Sequence, residues 1–147
     1  MAIHLNHSQA DPSAYKTLLG VAAYVGNTEI DQKLRHLMDI RASQINGCAF
    51  CLDMHIREAR EAGETAQRID TVAAWRDTPF YSPAERAALA LTERVTRIAD
   101  GGVPDELADE LRKYFSDKQI VQLLMTIIHI NAWNRLSIGT GLQPAIR

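Results

Sequence analysis

The hydrophobic residues of the chain recur at the spacing of helices rather than strands. Between Thr28 and Asn46, apolar positions follow the i, i+3, i+4, i+8, i+11 pattern of one helix face: Leu34, Leu37, Met38, Ala42 and Ile45. No stretch between turn signals shows the sustained alternation of apolar and polar residues that is typical of strands. The pattern therefore predicts an all-α protein.

Helix start and stop signals divide the chain into six to seven helices. Asp11-Pro12 is a typical helix start, and Ser82 with Glu85 and Ser116 with Gln119 form capping boxes, while glycines mark several helix ends. The predicted helices cover residues 12–26, 28–46, 48–62, 65–75, 82–99, 104–115 and 116–139. Because no linker-like segment or internal repeat interrupts them, we expect a single domain over residues 1–147.

The last predicted helix is apolar nearly all round. Its apolar residues point in every direction: Ile120, Val121, Leu123, Leu124, Met125, Ile127 and Ile128. A helix of this kind must be surrounded by partners, so we expect a subunit interface to cover part of it. The stretch from Ile120 to Trp133 contains polar residues and is shorter than the roughly 20 residues that span a bilayer, so no membrane helix is predicted.

Composition and charge exclude several kinds of partner and several classes of protein. The 147 residues include 16 basic and 18 acidic side chains, a net charge of −2, which argues against a partner such as nucleic acid or an anionic membrane. The beginning of the chain lacks the pattern of a secretory signal, so we expect a cytoplasmic protein. Only two cysteines are present, three residues apart, which fits a redox pair or half of a metal site better than a disulfide scaffold.

The two cysteines and a histidine form the strongest chemical motif. Cys48, Cys51 and His55 have the spacing that places three side chains on one helix face. The helix break at Asn46-Gly47 puts the cysteines in the first turn, where free N–H groups and the helix dipole lower the pKa of a thiol. Such a thiolate can attack a peroxide O–O bond, a second cysteine can close the disulfide, and His55 can carry the proton. We therefore expect reduction of a small hydroperoxide.

A zinc site is the main alternative. Cys48, Cys51 and His55 are plausible ligands, and His36 on the preceding helix could supply the fourth. A structural or interaction protein would then hold the metal through these side chains. Against this, a chain with an ample hydrophobic core gains little from a structural metal, so no bound metal is expected.

Other polar residues have simpler interpretations. His129 on the apolar last helix is expected to be a hydrogen-bonded core histidine, and Glu93 part of a solvated helix face. His4 and His7 are expected to belong to a mobile terminus. The chain carries no dinucleotide fingerprint or P-loop, so no cofactor is predicted, and electrons should come from an external thiol or lipoyl-type reductant.

The segment LRHLMDIRASQINGCAFCLDMH, residues 34–55, resembles the core of the alkylhydroperoxidase D-like (AhpD-like) proteins of the carboxymuconolactone decarboxylase superfamily. The core motif covers about residues 28–63, and the similarity continues at 84–91 and 130–135. The resemblance implies an all-α AhpD-like fold, a homo-oligomer (trimer or hexamer), and peroxidase or disulfide-reductase activity. The decarboxylase branch lacks the cysteine pair, so a lyase with incidental thiols is a further alternative.

The resemblance also implies roles for single residues. Cys51 corresponds to the peroxidatic cysteine, Cys48 to its resolving partner and His55 to the proton relay. The helix dipole, in contrast, favours Cys48 as the more acidic thiol, because Cys48 lies nearer the N-terminus of the helix. Between the two arguments we follow the resemblance and expect Cys51 to attack the peroxide. His36 stands where the family's peroxidases commonly carry a glutamate, so His36 is expected to take part in an altered relay.

Overall fold

The computed structural model describes residues 2–147. Within this range the chain forms eight α-helices and no strand. The helices are α1 (His7–Ala10), α2 (Pro12–Gly26), α3 (Gln32–Asn46), α4 (Ala49–Glu61), α5 (Ala66–Thr71), α6 (Pro83–Thr96), α7 (Asp105–Arg112) and α8 (Asp117–Thr140). The all-α prediction is confirmed: the seven predicted helices correspond to α2–α8, and only the four-residue α1 was not predicted.

The start of α3 differs from the prediction, because Asp31 and not Thr28 caps this helix. We predicted that Thr28 starts the second helix, but the Thr28 hydroxyl donates to the Val25 carbonyl and so closes the end of α2. The side chain of Asp31 caps α3 instead, by accepting from the backbone N–H of Leu34. The two predicted capping boxes, at Ser82 and Ser116, are both formed.

Helix α3 lies at the centre of the molecule and packs against α4, α6 and α8. One side of α3 joins α6, α7 and α8 in a cluster that includes Leu34, Met38 and Ile127. Its other side joins the region around Trp75 through Leu37 and Ile40. Burial of each such side chain contributes about 1.5–3 kcal/mol to stability, so these contacts hold α3 firmly in the core.

Glu93 corrects one prediction. The expected solvated position is in fact buried, because this side of α6 faces α3 and the 3-10 turn at Val72–Asp77. The Glu93 carboxylate accepts hydrogen bonds from Arg41, Arg76 and the indole N–H of Trp75. A buried charge of this kind is stable only when it is paired, so Glu93 joins three segments of the chain.

Helix α8 is covered on one side only. Leu123, Ile127 and Ile130 are fully buried, whereas Val121 and Ile128 are about half exposed. The expected subunit interface at this surface stays a prediction. Among residues 2–147, no helix combines the length and the apolar character needed to cross a membrane.

Candidate functional site

The turn between α3 and α4 sets the position of both cysteines. Gly47 ends α3 in the left-handed conformation, with φ of 72°, a backbone region that favours glycine. The chain then turns so that Cys48 becomes the N-cap residue of α4, and the Cys51 backbone N–H donates to the Cys48 sulfur at 3.4 Å. The predicted placement of the pair at a helix N-terminus is confirmed.

Both thiols are free and buried, and their surroundings shift their pKa values in opposite directions. A hydrogen bond from the Cys51 thiol, with further help from Asn134 and the charge of His55, lowers the pKa of Cys48 to about 6. The same bond to Cys48, together with burial, raises the pKa of Cys51. The surroundings therefore favour negative charge on Cys48 over Cys51, as the helix dipole argument expected.

Asn134 supports the cysteine pair from α8. This residue is fully buried; its amide donates to the Ser43 hydroxyl at 3.0 Å, and its carbonyl oxygen accepts from the Asn46 side chain at 2.9 Å. These bonds join α8 to the last turn of α3 directly before the cysteines. The sequence analysis included Asn134 in the similar segment 130–135 without a role, because this residue stands about ninety positions from Ser43 along the chain.

His55 lies one turn beyond Cys51 and is paired with carboxylates. Its Nδ1 lies 3.0 Å from Glu58 Oε2 and 3.5 Å from Asp39 Oδ2. Burial disfavours a charged ring, but the two carboxylates outweigh it and raise the pKa of His55. Burial also raises the pKa of Asp39 to about 6, against the attraction of His55.

His36 joins this group from α3. Its Nδ1 lies 3.8 Å from Glu58 Oε2, and its ring centroid is 6.3 Å from that of His55. Burial lowers the pKa of His36. Position 36 thus carries no carboxylate, but two other carboxylates, Asp39 and Glu58, lie beside His55.

The sequence analysis missed Asp39 and Glu58. Each stands three residues after a predicted site histidine, so each shares its helix face with that histidine. This spacing was the available signal. It was not decisive, because acidic residues are common at solvated helix positions.

A cavity of about 420 Å³ opens beside these side chains. The lining is mainly apolar and includes His36, Asp39, His55, Glu58, His129, Leu19, Val25, Phe50, Met54 and Trp133. The lining contains neither cysteine. His55 thus borders a chamber that fits a small organic molecule, and the charge of His55 also acts on Cys48.

Two other histidines line the cavity. His129 accepts a hydrogen bond from the Trp133 indole at 2.9 Å, and burial lowers its pKa to about 4, which confirms the core assignment. His7 was expected in a mobile terminus. Instead it begins α1, lies 3.0 Å from the Thr140 hydroxyl and stacks near Tyr15, because the N-terminal segment packs along the end of α8.

The predicted zinc set does not come together. No three of Cys48, Cys51, His55 and His36 bring potential ligand atoms within 4.8 Å of one another. Among residues 2–147, the group that meets this distance is His36, Asp39 and His55. The cysteines lie apart from it because their sulfurs are turned toward Asn134 and α8.

Comparison with known proteins agrees with this architecture. YdfG of Bacillus subtilis, an uncharacterised protein, is 42% identical over 99% of both chains. A crystal structure from Agrobacterium tumefaciens, of a protein of unknown function provisionally assigned as an antioxidant defence protein AhpD, superposes with a TM-score of 0.95 at 40% identity, covering 98% of this chain and 99% of that one.

A third match is local. The alkyl hydroperoxide reductase AhpD of Bradyrhizobium diazoefficiens is 38% identical over 47 residues, which is 32% of this chain and 26% of that protein. Residues 12–94 match the sequence model of the carboxymuconolactone decarboxylase family. This chain therefore belongs to the carboxymuconolactone decarboxylase family, as one of its AhpD-like members.

Proposed function

We propose that this protein is a thiol-dependent peroxidase or disulfide reductase that reduces hydroperoxides through Cys48 and Cys51, with His55 as proton relay. Membership among the AhpD-like proteins supports an alkylhydroperoxidase-like function at the level of the family. One observation carries the proposal for this chain: two free, buried thiols meet at the N-terminus of α4, where the Cys51 backbone N–H donates to the Cys48 sulfur and the surroundings lower the pKa of Cys48. A thiolate is then present at neutral pH without an added base.

The charge distribution also bears on the order of events. The resemblance implies attack by Cys51, but the lowered pKa of Cys48 and the raised pKa of Cys51 support Cys48 as the resting nucleophile. In the proposed first step the Cys48 thiolate attacks the hydroperoxide, the O–O bond breaks, and Cys48 becomes a sulfenic acid. The released alkoxide takes a proton from His55 and leaves as an alcohol.

The second step closes the disulfide. The Cys51 thiol attacks the Cys48 sulfenic sulfur, an S–S bond forms, and the hydroxyl leaves as water after accepting the proton of Cys51. The two electrons lost by the thiols have then passed to the peroxide. The existing hydrogen bond between the cysteines supports this step, because it already holds the two side chains together.

His36 completes the proposed relay. His55 contacts Glu58 at 3.0 Å, and Glu58 in turn lies 3.8 Å from His36 on the cavity wall. Because 3.8 Å is longer than a hydrogen bond, a proton would pass from His36 to Glu58 only after a small side-chain rotation brings the two together, and from Glu58 it could then reach His55. We expect His36→Gln to slow peroxide turnover while disulfide formation itself still occurs.

The cycle requires outside partners. An external thiol or a lipoyl-type dithiol would reduce the disulfide, and the reducing cytoplasm is the compartment that supplies such reductants.

We further propose a homo-oligomer, trimer or hexamer, assembled through the exposed apolar side of α8. The half-exposed Val121 and Ile128 support this surface as the interface.

Thiol titration tests the proposed function directly. Treatment of the reduced protein with one equivalent of hydroperoxide should remove two free thiols, and a dithiol should restore them. Dimedone should label the sulfenic acid in Cys51→Ser and not in Cys48→Ser; the reverse labelling would assign the attack to Cys51. Unchanged thiols, with a Cys48→Ser/Cys51→Ser protein that keeps full activity on a cyclic carboxylate, would instead establish a lyase.

A further inference from the structure

The histidine and carboxylate side chains that line the cavity have more ligand atoms than hydrogen bonds. Both ring nitrogens of His36, Oδ1 of Asp39, Nε2 of His55 and Nδ1 of His129 are buried without a hydrogen-bond partner. Asp39 and His55 are each only 5% exposed. An unpaired buried polar atom costs about 1–3 kcal/mol, so five such atoms on the wall of one cavity point to a bound group there.

The spacing of the ligand atoms indicates a metal ion. His55 Nδ1 lies 3.0 Å from a Glu58 oxygen and 3.5 Å from an Asp39 oxygen, and His36 Nδ1 lies 3.8 Å from the Glu58 oxygen. Ligand atoms bonded to one tetrahedral ion at about 2.0–2.2 Å are separated by roughly 3.3–3.6 Å. One ligand atom from each of His36, Asp39 and His55 lies within 4.8 Å of the other two, so small side-chain rotations would bring these three atoms to bonding distance, while Glu58 stays hydrogen-bonded to His55 beside them.

We propose that His36, Asp39 and His55 bind a divalent transition-metal ion of the Zn²⁺ type. Two imidazoles and one carboxylate are a typical ligand set for such an ion, and the carboxylate offsets part of its charge. Arg35 lines the same cavity and repels a cation, so the site depends on the Asp39 carboxylate. The cysteines take no part, which separates this site from a Cys-based zinc site.

Metal binding has a consequence for the proposed reaction. A metal ion on His55 removes the proton carrier from the relay, so the bound ion should inhibit peroxide turnover, and a chelator should restore it. This consequence rests on the proposed function, whereas binding of the ion does not. The two can therefore fail separately.

The test is metal titration of the full chain with the cysteines removed. Zn²⁺ titrated calorimetrically into wild type and into Cys48→Ser/Cys51→Ser should bind one to one with similar affinity. Co²⁺ should give a ligand-field spectrum in both proteins without a thiolate-to-cobalt charge-transfer band. His36→Gln and Asp39→Asn should each weaken binding at least tenfold.

His129→Gln is the matched control. His129 lines the same cavity and also has an unpaired ring nitrogen, but it does not belong to the group of side chains whose ligand atoms lie within 4.8 Å of one another, so this variant should bind Zn²⁺ like wild type. If Asp39→Asn does not fold, His36→Gln decides, because His36 is less deeply buried. No saturable binding, loss of binding in the cysteine-free protein, or unchanged affinity in folded His36→Gln would each overturn the proposed site.

Discussion

At the scale of single residues, Cys48 takes a position that usually belongs to Ser, Thr, Asp or Asn. Cys48 is the N-cap residue of α4, and its sulfur accepts a hydrogen bond from the backbone N–H of Cys51. This hydrogen bond is weak when Cys48 is a neutral thiol and strong when Cys48 is a thiolate. The helix dipole favours the same negative charge. The residue that caps the helix is therefore also the residue prepared for attack.

We predict that the ultraviolet absorbance of the thiolate will show the lowered pKa of Cys48 directly. Ultraviolet titration of the folded protein should show one thiolate forming near pH 6. In denaturant both thiols should instead titrate at a pH of about 8.5, the ordinary pKa of cysteine. Because the folded pKa is lowered, this thiolate stabilises the fold fully above the unfolded pKa, and the contribution disappears as the pH falls through about 6.

Serine variants provide the control for that titration. Cys51→Ser should keep the transition near pH 6, since a serine hydroxyl can still donate to the Cys48 sulfur, and Cys48→Ser should lack it. A low transition that persists in Cys48→Ser would place the acidic thiol at Cys51.

At the scale of elements, the site depends on how α3, α4 and α6 are joined. The α3–α4 turn is closed by Gly47, and the Cys48 backbone N–H donates to the Ser43 carbonyl at 3.0 Å. Glu93 on α6 holds Arg41 of α3 and Trp75 beyond α5. Helix α3 is thereby fixed at both its site-bearing end and its middle.

The turn is tested by a pair of glycine substitutions. Gly47→Ala should destabilise the protein by about 1 kcal/mol, because alanine resists a φ of 72°, although no atom blocks its Cβ. Gly20→Ala, at an exposed and equally open position inside α2, should instead stabilise by about 0.5–1 kcal/mol. Urea unfolding measures both; a stabilising Gly47→Ala would contradict the assigned turn.

The Glu93 network is tested in the same way. Glu93→Ala should cost about 3 kcal/mol in the free energy of unfolding, since it leaves the largely buried Arg41 without its carboxylate. Glu110→Ala breaks an exposed pair with Lys113 and should leave stability essentially unchanged. Equal losses in the two variants would show that Glu93 behaves as a surface residue.

At the scale of the whole molecule, the apolar surfaces are unevenly distributed. The α3-centred core is closed, yet α8 exposes Val121 and Ile128, and Ile98 stands exposed near that side of the molecule. Ile98 and Ile128 line one shallow pocket, and exposed apolar patches are typical of protein interfaces. The proposed homo-oligomer would cover this pocket.

We therefore predict that Ile128→Glu dissociates the oligomer. Light scattering coupled to size exclusion should show wild type at several times the 147-residue chain mass and Ile128→Glu near one chain mass, because burying a carboxylate in an apolar interface is costly. Ile146→Glu, at a fully exposed position close to the C-terminus, is the control and should leave the mass unchanged. A monomeric wild type would contradict the proposed interface.

Much of the fold could be predicted because its signals are local. Capping residues such as Ser82 and Ser116 act within four residues of themselves, and the helical spacing of Leu34, Leu37 and Met38 requires no knowledge of distant contacts. Glu93 was misjudged for the opposite reason. Its burial depends on where Arg41 and Trp75 come to lie, which no neighbouring residue indicates.

The same division applies to the site. By itself the sequence determined that Cys48, Cys51 and His55 share one helix face, since the helical repeat alone places them there. Only the tertiary structure decided which carboxylates contact His55, how Asn134 supports the thiols, and that His36 belongs with Asp39 rather than with the cysteines. Such contacts depend on helix packing, in which residues many positions apart meet through the shape and burial of whole elements.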